Sequence, residues 1–277
     1  MKSKIGNWYE DMVMDETKFK DYLALKESKS LLVSKKEEKY TKMLEQIQIE
    51  PLQNGYLTTG SYFMLKNMQT NGSMVIDVDD KNLNYTAAFA VTTSPLMNFP
   101  CARSLFKMEK YSDRKESTPM NTKSEQKQII NYGDNICIMA YPTMYPQPLY
   151  LHSCLLSPLS FSRFSRNQEV LVNIDQSYNN CWTIEHPDQN IRFSLVGKPI
   201  KADQPFIIRH CATRTCLASD LVDYFNDYGH EYEISCKNFL TTNKYQQIEA
   251  EKGGRLRVDS QTRQEQGQNI WYVVDHI

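Results

Sequence analysis

A pattern of about ten residues occurs three times after residue 50, and this repetition constrains the fold more than any other feature. Each copy begins with an apolar residue and has a turn residue three positions later. The copies begin at Leu57, Ile130 and Ile200, and their turn residues are Gly60, Gly133 and Asp203. One such segment cannot bury its apolar face alone, whereas three related segments around an axis close a barrel and remove most exposed strand edges.

Three further candidate strands follow each opening in the same order, which gives twelve in all. The first opening, 57–66, is followed by 74–78, 85–91 and 104–108; the second, 130–139, by 149–152, 169–172 and 180–186; and the third, 200–209, by 215–218, 232–235 and 269–276. The sequence therefore predicts a mainly β, β-trefoil-like body of three four-strand units. We call these units repeats 1, 2 and 3, at about 55–110, 129–187 and 198–277, within a domain of residues 51–277.

The last two repeats also end alike. Asn180-Cys181-Trp182 and Asn269-Ile270-Trp271 each open a run of alternating apolar residues that ends in an acidic residue and a histidine. Large aromatic residues at equivalent places in a barrel most often fill its core. We therefore predict Trp182 and Trp271 to be equivalent core residues.

Two polar stretches interrupt the repeats. Residues 110–128 are rich in Ser, Thr, Lys and Glu and predict a long loop, and Gly253-Gly254 within 243–268 predicts an inserted hairpin. Acidic clusters at 77–80 and 220–227 lack the spacing of a calcium loop, so we interpret them as solvated turns. Both interruptions are candidate contact loops.

The first 50 residues differ from the rest. Residues 16–48 contain no Gly or Pro and place Phe19, Tyr22 and Leu23 at helical spacing, while Pro51 ends the segment. An N-terminal arm of residues 1–50 with one helix or two is predicted. The apolar stripe is narrow, so the helix either lies along a partner or packs on its own domain.

Composition excludes several classes of protein. The 32 Lys and Arg residues balance 33 Asp and Glu residues, whereas a nucleic-acid binder needs a basic face. No apolar run approaches the roughly 18 residues of a membrane span, and the charged start does not resemble a signal peptide. Seven cysteines, an odd number, lie in apolar stretches and do not suggest a disulfide framework. We expect a protein of the reducing cytosol that neither binds nucleic acid nor enters a membrane.

Sequence signatures of metal binding and of catalysis are weak. His210, Cys211 and Cys216 lie close in sequence, and His186 or His276 is a further candidate metal ligand. The Cys211–Cys216 spacing is loose for zinc, however, and the sequence has no second pair of ligands. The chain has no Gly-x-Ser-x-Gly elbow and no glycine-rich phosphate loop. We expect no metal, no cofactor and no enzymatic activity, although residues from distant strands can form a site that sequence alone does not reveal.

Several short segments, taken in order, carry a resemblance to one known family. The segments are Ile5-Gly6-Asn7-Trp8, Glu10-Asp11, Asn180-Cys181-Trp182, Pro187-Asp188, Ile191-Arg192-Phe193, Gly197-Lys198-Pro199, Ala202, Ile207-Ile208, His210-Cys211, Thr213-Arg214, Leu217-Ala218, Tyr224-Phe225 and Asn269-Ile270-Trp271. In this order and spacing the chain resembles the cilia- and flagella-associated protein 161 family. The segment 85–128 shows little of the resemblance.

The resemblance implies a non-enzymatic microtubule inner protein on the lumenal wall of the A-tubule of ciliary doublet microtubules. Its partners would be the α/β-tubulin lattice and neighbouring inner proteins. Tyr and Trp anchor many interfaces, so Ile5, Asn7, Trp8 and Tyr9 are the candidate partner-binding residues of the arm. The alternative is a trefoil-type module that binds carbohydrate or another small ligand, and an enzyme of unrecognised type is the third possibility.

Overall fold

The computed structural model describes residues 8–52, 55–82, 85, 87–111, 127–238, 248, 252–254 and 265–274. The chain divides into two compact parts, an N-terminal part of residues 1–45 and a body of residues 46–277. Most of the predicted 110–128 loop and of the predicted 243–268 hairpin lies outside the described residues.

Two helices form the N-terminal part, α1 (Trp8–Glu27) and α2 (Leu32–Leu44). Helix α1 carries Glu10 and Asp11 in its first turn and Lys26 in its last turn, which complements the helix dipole. Lys20 also pairs with Glu16 one turn earlier, at 2.8 Å. Local charge placement therefore supports α1, which begins at Trp8, before the predicted helical segment of residues 16–48.

The body is mainly β, as predicted, and its described residues form twelve strands in one antiparallel sheet and a short helix, α3 (Gln189–Leu195). The strands are β1 (Tyr62–Asn67), β2 (Ser73–Lys81), β3 (Ala88–Ser94), β4 (Phe106–Lys110), β5 (Asn135–Ala140), β6 (Tyr150–Ser153), β7 (Gln168–Asn173), β8 (Trp182–Glu185), β9 (Phe206–His210), β10 (Leu217–Asn226), β11 (Gly229–Cys236) and β12 (Ile270–Val274). A strand occurs at or beside each of the twelve candidate positions.

Strand pairing forms a closed ring of six. Strand β1 pairs with β4, β4 with β5, β5 with β8, β8 with β9, β9 with β12, and β12 with β1. The other six strands form the hairpins β2–β3, β6–β7 and β10–β11, and β3, β7 and β11 pair with one another. A closed ring leaves no open edge for pairing with another chain.

The three openings of the repeated pattern meet inside the body. The backbone N–H of Leu57 donates to the carbonyl of Ile200 at 2.9 Å, that of Ile130 to Leu57 at 2.9 Å, and that of Ile200 to Ile130 at 3.1 Å. All three side chains are buried. The segments that match in sequence are therefore joined by a cycle of hydrogen bonds.

Trp182 and Trp271 occupy matching positions. Both are fully buried, and each follows a short 3-10 turn, Tyr178–Asn180 or Gly267–Asn269, that ends in a buried asparagine. The indole N–H of Trp182 donates to the Leu151 carbonyl at 2.9 Å, and that of Trp271 donates to the Leu217 carbonyl at 3.1 Å. Each tryptophan thus combines apolar burial with a satisfied polar atom.

The interpretation of the acidic clusters as solvated turns is wrong for most of their residues, although Asp227 is exposed in a turn. Asp77 and Asp80 belong to β2, and Asp220 and Asp223 belong to β10. Asp77 is buried and accepts the backbone N–H of Asp79 at 2.9 Å; burial nevertheless raises its pKa above the usual range. Strand β10 is long because it pairs with β11 as far as Asn226, which lies opposite Gly229. Gly229 follows the tight turn between the two strands and has a φ of +112°.

Candidate partner-binding surfaces

Helix α1 exposes an unusual number of large apolar side chains. None of its residues is buried, and Trp8 is 88% exposed. The exposed apolar residues are Trp8, Tyr9, Met12, Val13, Met14, Phe19, Tyr22, Leu23 and Leu25. Apolar surface of this kind typically marks an interaction site. Of the predicted arm residues, Trp8 and Tyr9 belong to this surface, whereas Ile5 and Asn7 lie outside the described residues.

A second apolar surface surrounds α3 in the body. Asp188 caps this helix, because its side chain accepts the backbone N–H of Asn190 at 2.9 Å. Phe193 is 91% exposed, and Ile191 and Val196 are exposed beside it. We call Ile191, Phe193 and Val196 the α3 patch.

A network of ion pairs holds the α3 patch on the body. Arg192 of α3 contacts Glu185 at 2.9 Å and Glu265 at 3.2 Å, and Arg209 of β9 contacts the same two carboxylates at 2.9 and 2.7 Å. These four side chains are largely buried, and Gln189 also donates to Glu265. Partly buried, shared charges fix geometry better than isolated surface pairs. Phe193 is therefore presented on a rigid base.

Because of this network of ion pairs, we expect the free energy of unfolding to fall at acid pH. Burial alone would raise the pKa of Glu265, but the hydrogen bond from Gln189 and the charge of Arg192 outweigh it and hold this pKa below 4.5. A carboxylate with a lowered folded-state pKa stabilises the fold above its unfolded pKa, and this contribution is lost as the pH falls through the folded value. We expect Glu265→Gln to lower the free energy of unfolding at pH 7 by about 1–3 kcal/mol.

Urea unfolding at pH 7 and at pH 3 measures this effect. The destabilisation by Glu265→Gln relative to the wild type should shrink at pH 3, because below pH 4.5 the unfolded wild-type chain takes up the proton that the folded carboxylate resists. Lys110→Gln is the control, because Lys110 contacts Asp134 in a more exposed pair at 3.5 Å. If Glu265→Gln lowers the free energy of unfolding equally at both pH values, the stabilising role of the ionised Glu265 carboxylate is contradicted.

A cavity of about 430 Å³ lies where the β3, β7 and β11 strands meet. Its polar lining residues include Asp80, Asn82, Arg163, Glu169, Tyr224 and Glu233. These groups bind one another or the backbone: Arg163 contacts Asp80 at 3.1 Å, and Asn82 donates to Glu169 at 2.6 Å. Desolvation by burial raises the pKa of Glu169. The cavity is therefore polar, with several of its groups already hydrogen-bonded.

The residues tested as metal ligands have structural contacts. His210 packs against Trp182 with ring centroids 4.9 Å apart, and burial lowers its pKa to about 4. Its Nδ1 lies 2.8 Å from the Thr213 hydroxyl and its Nε2 lies 3.0 Å from the Asn179 carbonyl. Across the described ranges, His, Cys, Asp and Glu side chains form no group of three or more suited to a metal ion. His276 lies outside those ranges.

Sequence reasoning did not identify the α3 patch as a surface. Ile191 and Phe193 lie in a short apolar segment, and such residues are usually assigned to the core. The capping residue Asp188 was the available signal, because it predicts a helix start in the connection between two strands. Whether that helix faces inward or outward depends on contacts with β8 and β9.

Comparisons with known proteins agree on one family. Residues 35–251 match the model of the cilia- and flagella-associated protein 161-like domain. The Bos taurus protein named cilia- and flagella-associated protein 161 is 26% identical over 246 residues, covering 87% of this chain and 77% of its own length. The Mus musculus protein of that name is 23% identical over 249 residues, with coverages of 87% and 82%.

Solved structures support the fold alone. The SDF2-like protein from Arabidopsis thaliana aligns with a TM-score of 0.53 at 18% identity, over 79% of this chain and 95% of that one. A chain of the S. cerevisiae protein O-mannosyltransferase Pmt1-Pmt2 complex aligns at 0.51 and 16% identity, over 83% of this chain and 26% of that one. Within the described residues, no helix has the length and apolar character needed to span a bilayer.

Proposed function

Because the chain belongs to the cilia- and flagella-associated protein 161 family, we propose that it is a structural microtubule inner protein. In this proposal it binds the lumenal wall of the A-tubule of ciliary doublet microtubules and stabilises the axoneme for ciliary motility. Its partners are the α/β-tubulin lattice and neighbouring inner proteins. It acts without a cofactor and catalyses no reaction.

The exposed apolar surface of α1 is the observation that carries the docking proposal. This helix of 20 residues has no buried side chain, and its large apolar residues remain at least 40% exposed. Trp8 and Tyr9 begin this helix, and aromatic residues of this kind supply most of the binding energy where they are desolvated at an interface. The formal net charge of −1 also suits an apolar contact better than a long-range electrostatic one.

The body supplies the rigid part, and we propose that it is a β-trefoil of three related repeats. The ring of six strands, the three hairpins and the hydrogen-bond cycle of Leu57, Ile130 and Ile200 support this arrangement. In the proposal, the α3 patch is a second contact with the polymer wall. A protein with two separate contacts gains avidity when both sites are engaged together.

Retention on axonemes tests the proposal. We expect Trp8→Ala and Phe193→Ala each to weaken binding about 30-fold, the equivalent of roughly 2 kcal/mol at an interface anchor. The measurement is the amount of tagged protein that stays on isolated axonemes after a graded salt wash. Met68→Ala is the matched control, because Met68 is exposed but belongs to neither surface.

Location provides an independent test. A tagged wild-type chain in ciliated cells should lie along the axoneme and should be protected from added protease until the doublets are opened. Staining confined to the cell body would refute the proposal. Full retention of a Trp8→Ala and Phe193→Ala double variant would refute the two contact surfaces while leaving the ciliary assignment in place.

Carbohydrate or small-ligand binding is the second candidate, favoured by the cavity of about 430 Å³. Its carboxylates, amide and guanidinium are the groups that bind hydroxyl-rich ligands, and Tyr224 adds an aromatic face. A glycan array with the purified chain tests it, with Arg163→Ala as the variant that should lose any signal. Because Asp80 and Glu169 already have protein partners, we rank this function second.

A further inference from the structure

Two cysteines face each other across the β8–β9 pair. Strands β8 and β9 are in register with Trp182 opposite His210, so Cys181 and Cys211 lie opposite each other one residue further along. The backbone N–H of Cys211 donates to the Cys181 carbonyl at 3.0 Å. The two Sγ atoms are 2.9 Å apart, and neither residue is in a disulfide.

Directly opposed residues on antiparallel strands have the Cα separation that a disulfide requires, about 4.5–5.5 Å against about 4.4–6.8 Å. The sulfurs need to approach by less than about 1 Å to reach the bond length of roughly 2.05 Å. The strand pairing therefore holds both thiols in place before any bond forms, so little ordering entropy remains to be lost on closure.

The two thiols differ in their exposure to solvent. Cys181 is fully buried, whereas Cys211 is only partly buried at the end of β9. The hydroxyl of Thr183 lies 3.1 Å from the Cys211 sulfur, within reach to donate a hydrogen bond to a thiolate. A reagent from solvent therefore meets Cys211 first, and Cys181 lies behind it.

We propose that Cys181 and Cys211 form a reversible dithiol–disulfide couple that reacts with low-molecular-weight disulfides of the glutathione class. The Cys211 thiolate attacks one sulfur of the small disulfide, forms a mixed disulfide and releases one thiolate. The Cys181 thiolate then attacks the Cys211 sulfur, forms the Cys181–Cys211 bond and releases the second thiolate. The two protons lost by the cysteines are taken up by the two released thiols, so one disulfide is reduced and one is formed.

The bond would close a segment that contains α3. The two cysteines are 30 residues apart, and Gln189–Leu195 lies between them. A cross-link of this length restricts the unfolded chain and should raise the Tm by roughly 5–10 °C. Oxidation would thus add a covalent link to the support of the α3 patch, and reduction would return the patch to support by the ion pairs alone. This couple does not depend on what the α3 patch binds.

Incubation of the full native chain with oxidised glutathione, followed by peptide mass mapping, tests the proposal. We expect a Cys181–Cys211 cross-linked peptide, two hydrogens lighter than the separate thiol peptides, and a higher Tm that returns on addition of dithiothreitol. Stable glutathione on Cys211 of the wild type, or a cross-link between other cysteines with none here, would overturn the proposal.

Single substitutions separate the two roles. Cys181→Ala should accumulate a glutathione adduct on Cys211, because the resolving thiol is gone, whereas Cys211→Ala should give neither adduct nor cross-link at this pair. Cys154→Ala is the matched control, because Cys154 is also partly buried; it should leave the Cys181–Cys211 link unchanged. Circular dichroism of each variant before oxidation establishes whether it is folded. If a variant does not fold, the peptide mass mapping of the oxidised wild-type chain decides the proposal.

Discussion

Replacing Glu231 with glutamine will destabilise the body by about 3–5 kcal/mol, because it leaves the buried guanidinium of Arg103 without its counter-charge. The two side chains are essentially unexposed and meet at 2.9 Å. Removal of one partner from a buried ion pair exposes the other to the full desolvation penalty, which a surface pair never incurs. Urea unfolding of the purified chain measures the change.

The surroundings of the pair explain why the loss is large. The Glu231 carboxylate also accepts from Thr92 at 2.5 Å and from Asn226 at 2.7 Å. Arg103 donates to the Ile76 carbonyl at 3.2 Å and stacks on the Tyr228 ring at 3.6 Å. Arg103 lies in the segment before β4, in repeat 1, and Glu231 lies in β11, in repeat 3. The ion pair therefore connects two different repeats. Its loss therefore weakens contacts between repeats.

Two controls make the result interpretable. Lys110→Gln removes a more exposed pair and should cost no more than about 1 kcal/mol. The double variant Arg103→Met with Glu231→Leu should recover much of the loss, because no unpaired charge remains in the core. A Glu231→Gln loss below about 1 kcal/mol would mean that water reaches this site.

Trp182→Ala and Trp271→Ala are each expected to cost about 3–5 kcal/mol in free energy of unfolding. Each removes a fully buried indole together with its hydrogen bond to the carbonyl of Leu151 or Leu217. The Leu217 carbonyl keeps a second donor, the side-chain amide of Asn269 at 3.4 Å. The two losses should agree within about 1 kcal/mol if the residues are equivalent. Denaturant unfolding of both variants gives the comparison.

Trp8→Ala is the matched control, since Trp8 is 88% exposed and the same substitution should change stability by no more than about 0.5 kcal/mol. It also links the two kinds of experiment: Trp8→Ala should lose axonemal retention without losing stability. A difference above about 2 kcal/mol between the Trp182 and Trp271 variants would contradict their equivalence.

The strand positions were largely predictable because they depend on local alternation and turn residues. The candidate strand at 169–172 lies within β7, and the candidate at 74–78 lies within β2. The prediction was poorest at 215–218, where β10 continues to Asn226. There the sequence is acidic and resembles a turn, but pairing with β11 keeps it extended.

The candidate surfaces were less predictable. Trp8 and Tyr9 were identified because aromatic residues anchor many interfaces, and both are exposed. Phe193 was not identified, because its exposure depends on the ion pairs that hold α3 on the body, and these join residues far apart in the sequence. Arg209 and Glu265 of that network are 56 residues apart, and nothing local relates them.

The sequence by itself determined the number and order of the strands in the described part of the chain, the three openings that match in pattern, and the family, because each follows from patterns within a few residues or from their repetition. Tertiary structure alone decided that Arg103 meets Glu231, that Cys181 faces Cys211 and that Phe193 points outward. These outcomes depend on how β8, β9 and β11 are paired in register. That pairing is fixed by closure of the whole sheet, a property that no short segment contains.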